Sequence, residues 1–374
     1  MENKKICRVC KTVKPISQFL GVCKDCIRNF PDRSISYIKE VHEKARKMMN
    51  VPAFIPKDGE VICEICGNKC RISKGKKGYC GLTENIDGKL TRKIGNEEVG
   101  LGLVYKDPHP TNCTAVNWCA GGTGAGYPKY AMKNRTEFGF ANASVFLGTC
   151  NYHCLYCQNV SWHDMIRDKA PLMKAEELTN LILEDKEYTC VCWFGGTPEP
   201  QIPFVWNVSR LIRKKVKQED RILRICLESN GNFSWRWLKR IAKISLKSGG
   251  GIKFDLKTAK GSQLNLALSG VSNEVSYENF ERLVKFHQRR PEVPFLRTST
   301  LLVPHYIDLE EIRKITKFIA SLDKTIPYSL LAFYPHYCMT DIGLTSRKFA
   351  LECYKVAKEA GLEKVRIGNL NLLR

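Results

Sequence analysis

The sequence of 374 residues has no long apolar run and no apolar segment near its start. A helix that spans a bilayer needs about eighteen or more consecutive apolar residues, and no stretch of the chain provides them. The first residues, MENKKICRVC, also lack the apolar core of a secretory signal. We therefore expect a folded protein that does not enter a membrane and that works in the cytoplasm.

Acidic side chains are few in relation to basic ones. The chain has 38 Asp and Glu residues against 60 Lys and Arg, which gives a formal net charge of +22. The basic residues are densest from Arg210 to Lys247. A charge of this size attracts polyanions, so nucleic acid is a candidate partner. A lysine-rich proteome would produce the same excess without any such partner.

The glycine-rich segment at residues 121–126, GGTGAG, lacks the features of a phosphate-binding loop. No Lys-Ser or Lys-Thr pair follows it, and no strand of branched residues precedes it. We interpret this segment as backbone that packs closely against another part of the chain.

Cysteine is abundant, with 18 residues. The cytoplasm keeps thiols reduced, so closely spaced cysteines there are more often metal ligands than disulfide partners. Most of them form four groups, at positions 7, 10, 23 and 26; 63, 66, 70 and 80; 113 and 119; and 150, 154 and 157. The others lie in strand-like or helical contexts, and we interpret them as buried apolar side chains: Cys190, Cys192, Cys226, Cys338 and Cys353.

Residues 1–30 contain two cysteine pairs, Cys7 with Cys10 and Cys23 with Cys26. This arrangement is typical of a tetrahedral four-sulfur site for zinc or a single iron. The segment also resembles the zinc-ribbon-like modules that accompany HNH-type nucleases. It is too short for a core of its own, so we expect it to fold around its metal and to contribute nothing to the rest of the protein.

Residues 31–59 are predicted to be a linker helix. Ile38, Val41 and Ala45 recur at helical spacing within residues 34–49, and Pro52 lies beyond the pattern. The helix would join the first module to a second cysteine-rich region at residues 60–140.

Compact cysteine spacing in that second region predicts another metal site, and spacing alone does not separate zinc from a second iron–sulfur cluster. An insert in the region carries Cys113 and Cys119, either as ligands exchanged with that site or as core thiols. The candidate ligands are Cys63, Cys66, Cys70 and Cys80.

Short apolar runs alternate with amphipathic helical segments from residue 141 to 374. This alternation predicts an α/β fold with a parallel sheet; six units suit a partial (β/α)6 TIM-like barrel, and a doubly wound sheet has the same pattern. Asp308 and Glu311 form a predicted capping box. The predicted strands are residues 144–148, 190–194, 222–228, 252–256, 295–303 and 328–333.

Three cysteines follow the first of these strands: Cys150, Cys154 and Cys157. Three thiolates suit an iron–sulfur cluster with one iron left open, whereas a structural zinc needs a fourth ligand, for which His153 is a candidate. The CxxxCxxC spacing, with Tyr156 before the last cysteine, resembles the signature of the radical S-adenosylmethionine (radical SAM) superfamily.

The resemblance implies that a 4Fe-4S cluster binds S-adenosylmethionine at its open iron. Reduction of the sulfonium would release methionine and a 5′-deoxyadenosyl radical that abstracts a hydrogen atom. Such an oxidoreductase would work anaerobically and take its electron from a donor such as ferredoxin or flavodoxin.

Later motifs resemble the pyruvate formate-lyase-activating enzyme branch of this superfamily. Residues 195–200, GGTPEP, resemble its GGEP segment with Thr-Pro inserted before the acidic residue. ESNG at 228–231, DLK at 255–257 and YPH at 334–336 are similar to its DTNG, DLK and PYH segments. The Cys63 segment resembles the start of related enzymes found beside AMMECR-type and Memo-type proteins.

These matches imply a set of cosubstrate contacts along the ends of successive strands. Because side chains alternate along a strand, Asp255 and Lys257 should both face the barrel interior. His336 would act with the three cysteines in catalysis. The implied contacts are Tyr156, Gly195, Gly196, Thr197, Glu199, Glu228, Ser229, Asn230, Asp255, Lys257 and His336.

Three functions fit the sequence. The first is an enzyme that abstracts hydrogen from a macromolecule, with RNA as the candidate because of the charge and the terminal module. The second is an activase that generates a glycyl radical on a protein. The third is an iron–sulfur electron carrier without catalytic activity.

Overall fold

The computed structural model describes residues 4–219 and 221–374. Its strands are β1 Lys4–Ile6, β2 Val13–Pro15, β3 Val61–Ile62, β4 Arg71–Ile72, β5 Glu84–Ile86, β6 Lys89–Thr91, β7 Val99–Pro108, β8 Ala141–Leu147, β9 Leu172–Lys174, β10 Tyr188–Gly195, β11 Arg224–Ser229, β12 Ile252–Asp255, β13 Leu296–Leu302, β14 Tyr328–Ala332 and β15 Val365–Gly368. Its helices are α1 Lys24–Asn29, α2 Pro31–Lys47, α3 Ala120–Thr123, α4 Ser161–Asp168, α5 Ala175–Glu184, α6 Ile202–Gln218, α7 Trp235–Ser248, α8 Gln263–Ser269, α9 Glu274–His287, α10 Leu309–Leu322 and α11 Arg347–Glu359.

A nine-stranded sheet in the order β15-β14-β13-β12-β11-β10-β8-β7-β9 forms the body of the protein. The strands from β8 through β15 in this order pair in parallel. All six predicted strands are present, and the α/β partial-barrel fold is confirmed. The seventh parallel strand, β15, was not predicted, because its short sequence VRIG is only partly buried and gives a weak apolar signal.

Strand β7 extends the sheet beyond the predicted barrel. It pairs antiparallel with β8 from Gly102 opposite Leu147 to Pro108 opposite Ala141. The predicted boundary between residues 140 and 141 therefore falls inside the sheet. Residues 109–140 lie between these two strands and begin beside the amino end of β8, so this insert lies at the amino-terminal end of the barrel.

The glycine-rich segment lies in that insert, and close backbone packing is confirmed for it. A Cβ atom on Gly121 would lie 2.7 Å from the His109 ring, and one on Gly122 would lie 2.0 Å from the Val116 carbonyl oxygen. Both distances are too short for any side chain, so the contact requires glycine.

The amino-terminal module docks on the barrel, which corrects the expectation that it contributes nothing there. The Arg28 guanidinium contacts Asp308 at 2.7 Å and Glu311 at 3.0 Å, at the start of α10. The Ser17 hydroxyl donates to Asp341 at 3.0 Å. Cysteine spacing describes the metal site of a module and carries no information on the surface against which the module packs.

The predicted capping box forms only in part. The Asp308 side chain accepts a hydrogen bond from the Glu311 amide at 3.1 Å, as expected. The Glu311 carboxylate instead accepts from the Ala259 amide at 2.7 Å and pairs with Arg28. Glu311 therefore connects three segments of the protein.

This docking gives a matched pair of predictions. The Arg28 side chain is 17% exposed and faces two partly buried carboxylates, so Arg28→Ala should lower the free energy of unfolding by about 2–3 kcal/mol. The pair formed by Arg8 of the same module and Glu40 of α2 is 41% and 61% exposed, so Arg8→Ala should change the free energy of unfolding by less than about 1 kcal/mol. Urea unfolding checks both, and equal effects would contradict the docking role.

Helix α2 covers most of the predicted helix at residues 34–49, and it contacts more than the two modules it joins. The His42 Nδ1 atom lies 3.3 Å from the His153 Nδ1 atom, and the Ala45 carbonyl oxygen accepts from the Tyr337 hydroxyl at 3.1 Å. The buried Arg46 guanidinium donates to the Tyr79 carbonyl oxygen at 2.6 Å. The helix thus packs behind the segment that carries the cysteine triplet.

Among the helices of the described residues, none combines the length and apolarity needed to cross a membrane.

Candidate active site and the cysteine sets

A cavity of about 280 Å³ opens at the carboxyl ends of the parallel strands. Barrel enzymes place their chemistry at this end, because the loops that follow the strands converge there. Sequence-predicted residues that line it are Cys150, Cys154, Tyr156, Cys157, Gly195, Gly196, Thr197, Glu228, Ser229, Asn230, Asp255 and Lys257.

The cysteine loop follows β8 and is held by backbone and side-chain contacts. The Tyr152 amide donates to the Cys150 sulfur at 3.3 Å, and the Asn230 side-chain amide lies 3.8 Å from the same sulfur. Burial raises the pKa of the Cys150 thiol well above its usual value. A metal cation is what would convert such a buried thiol to a thiolate.

His153 was a candidate fourth ligand, and the structure turns it away from the cavity. Its Nδ1 atom faces His42 at 3.3 Å, and its Nε2 atom faces the Tyr337 hydroxyl at 3.1 Å. Burial lowers the pKa of His153 well below its usual value, so it stays neutral. His153 is therefore not positioned as a fourth ligand beside the three cysteines.

Sulfur separations distinguish two kinds of cysteine set. In the part of the chain that the structure describes, the terminal set is the only group of three or more candidate ligands with all donor atoms within 4.8 Å: Cys7, Cys10, Cys23 and Cys26. Its Cys7 and Cys26 sulfurs are 3.8 Å apart, and Zn–S bonds of about 2.3 Å in a tetrahedron require about the same separation. The triplet sulfurs are not all within 4.8 Å of one another.

Residues Gly195 and Gly196 lie against the cysteine loop. Gly195 has a φ of 104°, and a Cβ atom on Gly196 would lie 2.1 Å from the Thr149 carbonyl oxygen. The Gly196 and Thr197 amides donate to the Leu147 and Thr149 carbonyl oxygens at 2.8 and 3.0 Å. Only glycine allows this approach, which fixes the segment beside the cysteine triplet.

Glu199 is fully buried behind this segment and does not line the cavity. Its carboxylate accepts hydrogen bonds from the Thr197 and Ser229 hydroxyls and from the Gly231 amide, the last at 2.9 Å. The inserted Thr-Pro sequence turns the side chain toward the end of β11. The structure therefore places Glu199 as a connection between two loops, outside the lining of the cavity.

Burial raises the pKa of Glu199 to about 7, against the hydrogen bonds that favour its charged form. The folded state then keeps a proton that the unfolded chain releases above about pH 4.5. We expect this group's contribution to stability to fall as pH rises from about 4.5 to 7, by up to about 1.4 kcal/mol per unit. Urea unfolding at several pH values should show the slope in the parent chain and lose it in Glu199→Gln. Parallel pH profiles for the two chains would contradict the shift.

Charged side chains on β11 and β12 form a network along the cavity wall. The Lys253 ammonium lies 3.2 Å from the Glu228 carboxylate and 3.0 Å from that of Asp255, which also contacts Lys257 at 3.3 Å. Ser299 donates to Asp255 at 2.7 Å. Although burial alone would raise the pKa of Asp255, the two lysines hold it well below its usual range.

The sequence motifs did not identify Lys253 as a residue of the cavity. It lies two residues before Asp255, and the period of two that predicted an inward Lys257 extends equally to position 253. Asp255 and Lys257 both line the cavity, as that period predicted.

His336 lies outside the lining of the cavity. Its Nδ1 atom is 2.7 Å from the Cys157 carbonyl oxygen, so it contacts the backbone of the cysteine loop from behind. The next residue, Tyr337, has a φ of 53° and turns the chain back toward that loop. The role of His336 near the cosubstrate stays a prediction.

The second cysteine set packs directly on the cysteine loop. The Cys80 carbonyl oxygen accepts from the Thr149 hydroxyl at 2.8 Å, and Asn68 donates to the Asn151 carbonyl oxygen at 2.9 Å. Cys63, Cys66 and Cys70 are 5–7% exposed. Apolar residues including Trp162 join this set and the triplet in one buried cluster.

The insert cysteines, Cys113 and Cys119, line a cavity in the barrel interior together with Cys190, Cys192 and Cys226. This position favours interior thiols over ligands exchanged with the second set. The interpretation as buried apolar side chains is confirmed for Cys190 and Cys353, which are 8% and 0% exposed. The alternation of β10 and β11 could have shown that Cys192 and Cys226 face the interior.

The sequence profile of the radical SAM superfamily matches residues 144–319. The uncharacterized protein MJ0808 of Methanocaldococcus jannaschii is 24% identical over 326 residues, which cover 84% of this chain and 82% of that protein. The solved structure of native anSMEcpe with bound AdoMet is 14% identical with a TM-score of 0.39, covering 59% of this chain and 61% of that one. The structure with bound AdoMet and Cp18Cys peptide is 16% identical with a TM-score of 0.36, covering 50% and 49%. The chain spans less than two thirds of either solved chain.

The profile match begins in β8, includes the cysteine loop and ends in α10. The matched region therefore includes the three thiols, the glycine segment and the charged network that line the cavity. Residues 144–319 match the radical SAM superfamily, whose members cleave S-adenosylmethionine at an iron–sulfur cluster.

Proposed function

We propose that this protein is a radical SAM enzyme that binds a 4Fe-4S cluster through Cys150, Cys154 and Cys157 and cleaves S-adenosylmethionine in the cavity beside it. The observation that carries the proposal is the convergence of the three thiols with the cosubstrate motifs on one cavity. When bound, the cluster would supply the electron that breaks the sulfonium bond.

The chain's own residues would bind and orient the cosubstrate. The Gly196 backbone would take the place that the family gives to an acidic residue, because Glu199 is buried behind it. Glu228, Asp255 and Lys257 would contact the polar groups of the cosubstrate. The aromatic ring of Tyr156, 4% exposed, would exclude water beside the cysteine loop.

Anaerobic reconstitution with iron and sulfide tests the proposal. With dithionite or reduced flavodoxin as the electron donor, the protein should convert S-adenosylmethionine to methionine and 5′-deoxyadenosine. The reduced cluster should also change its electron paramagnetic resonance spectrum when the cosubstrate is added. A cluster that forms but gives neither signal would support an electron carrier instead.

The two amino-terminal cysteine sets would hold different metals. The Cys7 set has the sulfur separations of a single tetrahedral ion, zinc or iron. The Cys63 set is not so closely spaced among the described residues, and the Tyr79 amide donates to the Cys70 sulfur at 3.4 Å. We assign it a second iron–sulfur cluster, which would pass electrons to the triplet from behind the cysteine loop.

A basic and aromatic surface favours RNA over a protein as the substrate. On the outer faces of α6 and α7, the Trp206 and Trp237 rings lie 5.9 Å apart, and the Arg240 guanidinium lies 5.5 and 5.0 Å from them. Arg210 lies 5.4 Å from Trp206. Aromatic rings stack on bases and arginines pair with phosphates, so this surface suits single-stranded RNA.

RNA binding should weaken steeply with salt. For about six phosphate contacts, the logarithm of affinity should fall against the logarithm of salt with a slope of about −4. Trp237→Ala/Arg240→Ala should reduce the affinity about tenfold or more, and Lys317→Ala on α10 should have little effect. The decisive result is whether one RNA transfers deuterium to 5′-deoxyadenosine while a generic RNA of equal length does not. Transfer from a protein glycine would favour the activase instead.

A further inference from the structure

The interior of the barrel contains a second cavity, of about 190 Å³, beneath the candidate active site. Its wall includes the amino-terminal halves of β10 and β11, and the 109–140 insert lies against it. Five cysteines line it, although nothing in their spacing along the chain groups them: Cys113, Cys119, Cys190, Cys192 and Cys226. We refer to Cys113, Cys119, Cys192 and Cys226 as the lumen cysteines.

The lumen cysteines come from two elements that face each other. Cys192 and Cys226 are register partners on the adjacent parallel strands β10 and β11, which lie about 4.8 Å apart. Cys113 and Cys119 come from the insert. Cys190 lies two residues before Cys192, nearer the amino end of β10. Its sulfur accepts a hydrogen bond from the Arg224 guanidinium at 3.0 Å. Two pairs of thiols therefore converge on one space.

Hydrogen bonds to the sulfurs follow the pattern of the predicted metal sets. The Ala115 amide donates to the Cys113 sulfur at 3.3 Å, and the Gly122 amide donates to that of Cys119 at 3.3 Å. The Cys150 sulfur in the triplet accepts from a backbone amide in the same way, also at 3.3 Å. Such donors stabilise a thiolate that ligates a metal and tune its properties.

The cavity also contains polar groups that lack partners. Arg297 is 4% exposed, lines the cavity, and its Nε atom has no hydrogen-bond partner. The Asn142 Oδ1 atom, on the same cavity, is likewise buried without a partner. A buried guanidinium nitrogen without an acceptor, beside these thiols, favours an occupant that accepts a hydrogen bond or carries negative charge.

We propose that the lumen cysteines bind an iron–sulfur cluster inside the barrel, with Arg297 facing it. A cluster held by thiolates is anionic, so it would neutralise the guanidinium. The four sulfurs are not all within 4.8 Å of one another among the described residues, so they do not form the compact set that a single tetrahedral ion requires. Each ligand thiol would release its proton to solvent on binding iron.

The proposed cluster would lie close to the cosubstrate. Cys226 precedes Glu228 by two residues on β11, which is about 7 Å along a strand, and Glu228 lines both cavities. The Cys113 thiol donates to the Glu228 carboxylate at 3.2 Å. The cluster is therefore placed to exchange electrons with a group bound between the two cavities, or to contact that group through its sulfur atoms.

Metal content of the full-length chain tests this site independently of cosubstrate cleavage. After anaerobic reconstitution, Cys192→Ala/Cys226→Ala should lose about two to four irons and as many acid-labile sulfides per chain, the content of one cluster. The same loss should occur when Cys150, Cys154 and Cys157 are also replaced, so failure of the proposed cleavage would not affect it. The matched control Cys353→Ala, a core thiol, should lose none.

Alkylation of the unmutated chain provides a second measurement if the double variant does not fold. Mass spectrometry should show the lumen cysteines protected from iodoacetamide in the iron-loaded chain and labelled after chelation. Unchanged iron and sulfide in a folded double variant, iron lost without sulfide, or equal labelling in both states would overturn the proposal. The lumen would then be a cavity for substrate alone.

Discussion

Replacing Cys154 with Ala should reduce the production of 5′-deoxyadenosine from S-adenosylmethionine to background. Cys154 lies between the other two triplet cysteines, and its sulfur is 3.4 Å from the Ser269 hydroxyl at the edge of the cavity. With two thiolates left, the proposed cluster loses a ligand as well as its defined open iron. Chromatography of the reaction with excess reductant measures the product directly.

The control for this prediction is Cys353→Ala, which removes a fully buried thiol from α11 far from the cavity. It should leave product formation per cluster unchanged, although it can lower stability by leaving a small void. Cleavage that persists in the Cys154 variant at the parent rate would contradict the assignment of the triplet.

Replacing Asp255 with Ala should lower both stability and cosubstrate affinity. Asp255 contacts two lysines whose side chains are 7% and 14% exposed, and its own is 32% exposed. Removal leaves these cations without their shared partner, which should lower the free energy of unfolding by about 3 kcal/mol. Loss of a charged contact should weaken cosubstrate binding by about tenfold to a hundredfold.

Asp255→Asn provides the comparison, because it keeps the shape and can still accept the Ser299 hydrogen bond. It should lose affinity with a smaller loss of stability. Urea unfolding and equilibrium binding to the reconstituted protein separate the two effects. Unchanged values for both quantities in Asp255→Ala would mean that the network has no role in the cavity.

The sequence predicted the chemistry of the catalytic domain with few observations. The thiols of Cys150, Cys154 and Cys157 are close in the chain, so their spacing alone places them on one loop after a strand. Asp255 and Lys257 were assigned to the interior by the period of two within one strand. Each of these predictions depends on neighbours in sequence, whose relative positions local geometry fixes.

Contacts between segments that are distant in the chain could not be predicted from local geometry. The position of Glu199 depends on Ser229 and Gly231, which lie on another strand end. Arg28 meets Asp308 across 280 positions of the chain. Local spacing gave no sign of either contact.

The sequence by itself determined the cysteine triplet, the alternating strands and helices, the basic charge and the two amino-terminal cysteine sets. Only the tertiary structure decided that His153 contacts His42, that His336 lies against the backbone of the cysteine loop, that the terminal module docks on α10, and that the lumen cysteines line one cavity. The physical reason is the curvature of the sheet. It brings the interior faces of successive parallel strands toward one space, and the insert between β7 and β8 places its side chains in that space.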